Sequence, residues 1–241
     1  MPPSSFTMLE RWITALHTED VGLEAPAATR DRLKDRFPKN ATRRMTQLGL
    51  LMGSALEPLR PACDDTLVYA SAYAETRALE GYLDSFPNPS PTLFQTSIHP
   101  SAVQQSLITH QRPLSQFIPL TGSAYLPAQA LLAACLAQTP RVILCGGEER
   151  GTWLLEHGRA SERTFAFALT LASTEPVNSL GRITLEFAPA TSDQTRADAN
   201  AAAGATINPL RLPEFFDLLH GRFNFDGLVL PGRRLRLNWC A

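Results

Sequence analysis

Lysine is almost missing from this sequence: Lys34 and Lys39 are the only two among 22 basic residues, the rest being arginine. Basic and acidic residues nearly cancel, 22 against 23, for a formal charge of −1. A dedicated nucleic-acid binder would carry a basic excess or stripe. Cysteine is scarce as well. Cys63, Cys135, Cys145 and Cys240 lie far apart, form no CxxC and match no metal-ligand spacing, which excludes a disulfide scaffold or a zinc module. Cys135 and Cys145 fall in apolar runs, where a free thiol packs as a small hydrophobe. No apolar run approaches the roughly 18–20 residues that span a bilayer; the longest, Leu126 to Ala137, is interrupted by Pro127 and Gln129. The opening Met1-Pro2-Pro3-Ser4-Ser5-Phe6 lacks the charged and apolar regions of a secretory signal, so a cytoplasmic protein is expected. HExxH, GxxxxGK[ST] and GxGxxG are absent and no histidines and cysteines cluster; neither a metal nor a cofactor is expected.

What is present is material for a core. Apolar residues make up 44% of 241 positions, and a chain of this size buries roughly 70–75% of its surface without staples. Leu9, Trp12, Ile13 and Leu16 recur at helical spacing. Thr42 is placed to cap a helix bearing Met45, Leu48, Leu51, Met52 and Leu56, closed by Pro58 and Pro61. Residues 66–71 read as a buried strand and 73–83 as a helix, while Asn88-Pro89-Ser90-Pro91 reads as a turn. Pro100 opens a helix to His110, Phe117–Leu120 is extended, and Thr121–Tyr125 is a tight turn before an apolar helix, 126–138. A strand at 141–145 ends in Gly146-Gly147. This alternation is that of an α/β layered fold. Further strands are expected at 164–173, 182–187 and 235–239, a helix after Pro213, and a loose loop at 191–205.

Ser123 is the first chemical candidate. A serine on a sharp strand-to-helix turn can be exposed for attack, with nearby amides as oxyanion donors. The hydrolase elbow, however, is GxSxG, and here the frame is Thr121-Gly122-Ser123-Ala124-Tyr125; a small turn residue is the plainer reading. A base would come from five histidines. His99 precedes a helix and suits either a catalytic base or a local backbone contact. His110 and His220 fall at helix ends, where a cation favours the macrodipole, and His17 and His157 lie in polar surroundings. Gly146-Gly147-Glu148-Glu149 lacks the spacing of a phosphate loop and reads as close backbone approach.

Read as one block, residues 67–149 resemble the amino-terminal half of a beta-ketoacyl synthase of the thiolase-like fold. Such condensing enzymes place their nucleophile in Thr-Ala-Cys-Ser-Ser/Ala after a short strand, followed by a helix and a strand ending in Gly-Gly-Ala/Ser-Glu. The nucleophile position falls on Ser123. Ser90-Pro91-Thr92-Leu93-Phe94-Gln95-Thr96-Ser97-Ile98-His99-Pro100 resembles a segment of short ketosynthase-like proteins of aryl polyene and xanthomonadin-type clusters, whose pattern also covers Arg43-Arg44-Met45, residues 70–75 and the terminus at Trp239.

The resemblance implies a single thiolase-like α/β domain over 1–241, with helices layered on a mixed sheet: an extension (1–40), the ketosynthase amino-terminal-half core (41–150) and a reduced carboxy-terminal portion (151–241). It also implies missing chemistry. Serine replaces the cysteine, and a hydroxyl is a poor nucleophile without a base. The His-Gly-Thr-Gly-Thr and Asn-His-Ser-Phe-Gly loops of the second half do not occur. What the resemblance leaves is a catalytically silent, chain-length-factor-like partner of a full-length beta-ketoacyl synthase in polyketide, aryl polyene or fatty-acid-like synthesis. It would pair through residues 115–120, with Thr92, Phe94, Ser97, His99, Phe117, Thr121, Gly122, Ser123 and Tyr125 at tunnel wall or interface. Two rival readings are a serine-dependent acyltransferase or hydrolase using Ser123 with His99, and a homodimeric scaffold binding acyl carrier protein.

Overall fold

A computed structural model describes residues 7–122, 124–187, 209–230 and 233–240. Ser123 and the loop expected at 191–205 lie outside them. One mixed sheet organises the rest. Its strands are β1 (Thr7–Asp20), β2 (Thr66–Ala70), β3 (Gln116–Leu120), β4 (Arg141–Glu148), β5 (Phe165–Ala172), β6 (Gly181–Phe187), β7 (Phe225–Leu230) and β8 (Arg233–Trp239), in the order β3-β2-β4-β5-β1-β6-β8-β7. β2 pairs parallel with β3 and with β4; the other pairings are antiparallel. The expected α/β class, with helices on a mixed sheet, is what the chain adopts.

Alternate residues of the buried strands face two cores. Val68, Val142, Leu144, Phe165 and Phe167 pack on one face with α6 (Leu126–Leu136) and α8 (Leu212–His220). Leu67, Tyr69, Ile143 and Cys145 pack on the other with α1 (Pro26–Leu33), α2 (Gln47–Leu56) and α5 (Ser101–Thr109). Three further helices, α3 (Thr76–Asp84), α4 (Pro91–Ser97) and α7 (Trp153–Glu156), complete the α-helices among the described residues. Strands buried on both faces read as unbroken apolar runs, which is why β2, β4 and β5 were recognisable.

Several expectations change. Residues 9–16, expected as a helix in an amino-terminal extension, lie in β1, between β5 and β6. Both of its neighbours are strands, and the Leu9, Trp12, Ile13, Leu16 spacing is coincidental to that. Within β1 the buried Arg11 points its guanidinium at the end of α6, donating to the carbonyls of Ala137 and Thr139, groups a helix terminus leaves unpaired. The cap of α2 is Thr46, whose hydroxyl accepts from Gly49 N–H at 2.9 Å; Thr42 sits instead in a single 3-10 turn. Pro91 is the first residue of α4, capped by Ser90.

Gly146 and Gly147 lie inside β4, not beyond its end. A Cβ on Gly146 would come within 2.5 Å of the Ala70 carbonyl and 2.7 Å of the Phe167 ring; one on Gly147 would meet the Phe165 carbonyl at 2.5 Å. The paired glycines let β2 and β5 close on β4.

Candidate functional site

Because β2, β3 and β4 are parallel, their carboxyl ends open on the same edge of the sheet, the usual place for a site in such folds. Three segments meet there: Ser71–Glu75 after β2, Thr121–Tyr125 after β3, and Glu148–Gly151 at the end of β4. The Thr121 hydroxyl donates to the Ala72 carbonyl at 3.5 Å. Gly122 has φ 148°, a backbone region glycine adopts without penalty. Tyr125 stands at φ 62° as the residue before α6, unusual for a bulky side chain. Gly122 and Tyr125, on either side of Ser123 in the sequence, carry these positive φ values just ahead of the apolar helix α6.

Glutamates hold this edge together. Glu148, fully buried, accepts from the Ala72 amide at 2.6 Å, the Tyr73 amide at 3.2 Å and the Ser71 hydroxyl at 3.3 Å. The Ser71 hydroxyl in turn accepts from Ala74 N–H at 2.8 Å. Glu75 accepts from Ala102 N–H at 2.6 Å and so ties the loop to the start of α5. Glu149 accepts from Arg77 N–H at 3.1 Å, and Glu80 from the amides of Thr152 and Leu154 at 2.5 and 3.0 Å. Burial pushes the Glu75, Glu148 and Glu149 carboxyls up to about 7, against the hydrogen bonds that favour their ionised forms. Sequence reasoning missed this set. Only Glu148 and Glu149 stood out, and only as neighbours of the glycines.

The other expected site residues lie on α4, against Tyr69 of β2 and in β3. Thr92 and Phe94 are exposed on α4, where the Phe94 ring tilts against Tyr82 at 5.3 Å. The Ser97 hydroxyl donates to the Phe94 carbonyl at 2.8 Å. His99 is half-buried, its ring stacked on Tyr69 at 4.9 Å; neither ring nitrogen has a polar partner among the described residues, and burial lowers its pKa. Phe117 is half-buried in β3. The other histidines serve elsewhere: Nδ1 of His110 donates to the Ser106 carbonyl at the end of α5, and His220 bonds the Thr18 hydroxyl at 2.9 Å. Among the described residues no histidine bonds to the Thr121–Tyr125 turn, and no group of three His, Cys, Asp or Glu side chains is placed to hold a metal ion. No described helix is long and apolar enough to cross a membrane.

A cleft of about 350 Å³ opens beside Glu148, walled by Tyr73, Leu155, Ser161, Arg163 and Arg211. None of the residues expected at tunnel or interface lines it. Arg163 is held between Asp20 and Asp217, at 2.6 and 2.8 Å. The first turn of α6 brings backbone amides to the Thr121–Tyr125 turn, a favourable place for partial negative charge. Pro127 supplies none of these donors.

No protein-family model matches the chain, and no curated protein matches it in sequence. Among solved structures, a ketosynthase from module 6 of the bacillaene synthase of Bacillus subtilis aligns with a TM-score of 0.43 at 11% identity, over 72% of this chain and 40% of that one. Germicidin synthase from Streptomyces coelicolor, a type III polyketide synthase, aligns with a TM-score of 0.41 at 11% identity, over 96% of this chain and 100% of that one. An HMG-CoA synthase from Bacillus subtilis gives 0.36 at 12% identity, over 71% and 44%. The chain is distantly similar in structure to these enzymes. It spans less than half the length of the ketosynthase and the HMG-CoA synthase. Similarity of this degree concerns chain path; the functional reading rests on the residues themselves.

Proposed function

We propose that this chain is a catalytically silent, ketosynthase-like subunit. It pairs along β3 with a full-length beta-ketoacyl synthase and helps shape the tunnel for a growing polyketide or fatty-acyl-like chain. The observation that carries the reading is the position of β3: an edge strand, open on one side among the described residues, leading directly into the turn at the condensing enzymes' nucleophile position. The chemistry around that turn supports silence. The sequence places serine, not cysteine, there; all four cysteines lie elsewhere, and the thiols of Cys135 and Cys145 are buried. Activating a serine takes a hydrogen-bonded base, itself oriented by a third group, and the stacked His99 ring has no such partner among the described residues. Exposed Phe94 and Ile98, 49% and 46% accessible, are the apolar side chains proposed to meet acyl chain or partner.

The test is co-expression with a full-length beta-ketoacyl synthase and its acyl carrier protein. Co-purification with the synthase, together with altered product length for Phe94→Ala or Ile98→Ala, is expected. A monodisperse monomer that ignores the synthase would overturn the proposal, and labelling of Ser123 by a fluorophosphonate probe would favour a serine acyltransferase or hydrolase instead.

A further inference from the structure

The direction of the main-chain groups along β3 limits what its open edge can accept. The Leu120 carbonyl accepts from Ser71 N–H at 3.2 Å, so Leu120 faces β2. Backbone groups alternate sides along a strand, and Ile118 and Gln116 therefore face β2 as well, while Phe117 and Pro119 present theirs to the open side. Phe117 offers both an N–H and a carbonyl there. Pro119, exposed, offers only a carbonyl, because proline has no N–H.

We propose that Pro119 biases pairing at the β3 edge toward an extended strand of the beta-ketoacyl synthase and against a second copy of this chain. The inference rests on the reading that β3 is the pairing edge. Two-fold symmetry sets the difference: a homodimer joined through β3 brings Pro119 twice, so in any register spanning that residue two carbonyls face no donor. A partner strand without proline at the facing position leaves one. Each buried acceptor without a donor weakens association roughly five- to hundredfold, so the edge discriminates against itself by that factor. Proline on an edge strand is a recognised device against unwanted pairing; here its directional effect leaves Phe117 free to bond a foreign strand.

The test uses the full chain as wild type, Pro119→Val and Pro119→Thr in sedimentation equilibrium, with thermal melts confirming that the variants fold. Self-association at least about tenfold tighter in the variants is expected. Variants that melt like wild type yet associate no more tightly refute the inference, as does a disulfide-linked homodimer of the Phe117→Cys variant, which keeps Pro119. A second arm needs no folded variant: a synthetic peptide of residues 114–122 carrying Val in place of Pro119 is expected to bind wild-type protein more tightly than the native peptide, and equal binding refutes the inference. Failure of the proposed function is a separate result, in which Pro119→Val dimerises but no ketosynthase co-purifies with wild type.

Discussion

Replacing Glu148 by alanine removes the acceptor shared by Ala72 N–H, Tyr73 N–H and the Ser71 hydroxyl. Two part-buried amides are orphaned, at about 1–3 kcal/mol each, so Glu148→Ala is expected to cost about 2–6 kcal/mol where the wild-type carboxyl is protonated. The same carboxyl carries a pH-dependent cost. Burial raises it from an ordinary 4.5 to about 7, so the native state binds the proton more tightly than the unfolded chain. The resulting stability is complete below about pH 4.5 and is lost as pH rises through about 7. Integrated between pH 5 and pH 8, that loss is about 2–3 kcal/mol for one such group. Glu148→Ala does not share it. The gap between wild type and variant in urea unfolding is therefore expected to shrink by about 2–3 kcal/mol from pH 5 to pH 8. A gap that is constant or widens with pH would refute the picture of a buried carboxyl holding the β2 loop in its neutral form.

Wild-type stability as a whole should decline from pH 5 toward pH 8, since Glu75 and Glu149 are raised for the same reason; calorimetric melts across that range check this. Gly146→Ala drives a methyl to 2.5 Å from the Ala70 carbonyl, and overpacking of this kind costs about 1–3 kcal/mol or more, readable as a lowered Tm. Under native conditions a thiol reagent should modify Cys63 and Cys240, which are exposed, and spare buried Cys135 and Cys145 until the chain unfolds. Burial pushes the Cys135 thiol up to about 12, so it supplies almost no thiolate even to a reagent that reaches it.

Much of the fold was legible because local chemistry and burial agreed. β2, β4 and β5 are apolar runs bounded by turn residues, and α6 follows a glycine turn whose geometry demands Gly122. β1 was not, since β5 and β6 flank it on both sides and its half-buried side chains, Leu9, Trp12 and Leu16 among them, follow no clean alternation. β7 was missed because Asp226 and Gly227 interrupt a short apolar segment. That the glutamates at the candidate site form one set was not legible, for a different reason. Glu75 and Glu80 are far in sequence from Glu148 and Glu149, and only the parallel pairing of β2 with β4 brings their segments together. The glycines in the same run were read correctly as close approach, since their neighbours are set by the strand in which they sit.

The central claim is that the open edge of β3 receives a strand of a beta-ketoacyl synthase. Amide hydrogen exchange at Phe117, whose N–H faces away from β2, tests it most directly. In the free chain that amide should exchange rapidly, while Ile118, bonded toward β2, stays protected; in the complex with the synthase Phe117 should become protected as well. A complex that forms with Phe117 still exchanging freely, or an amide already protected in the free chain, would contradict it.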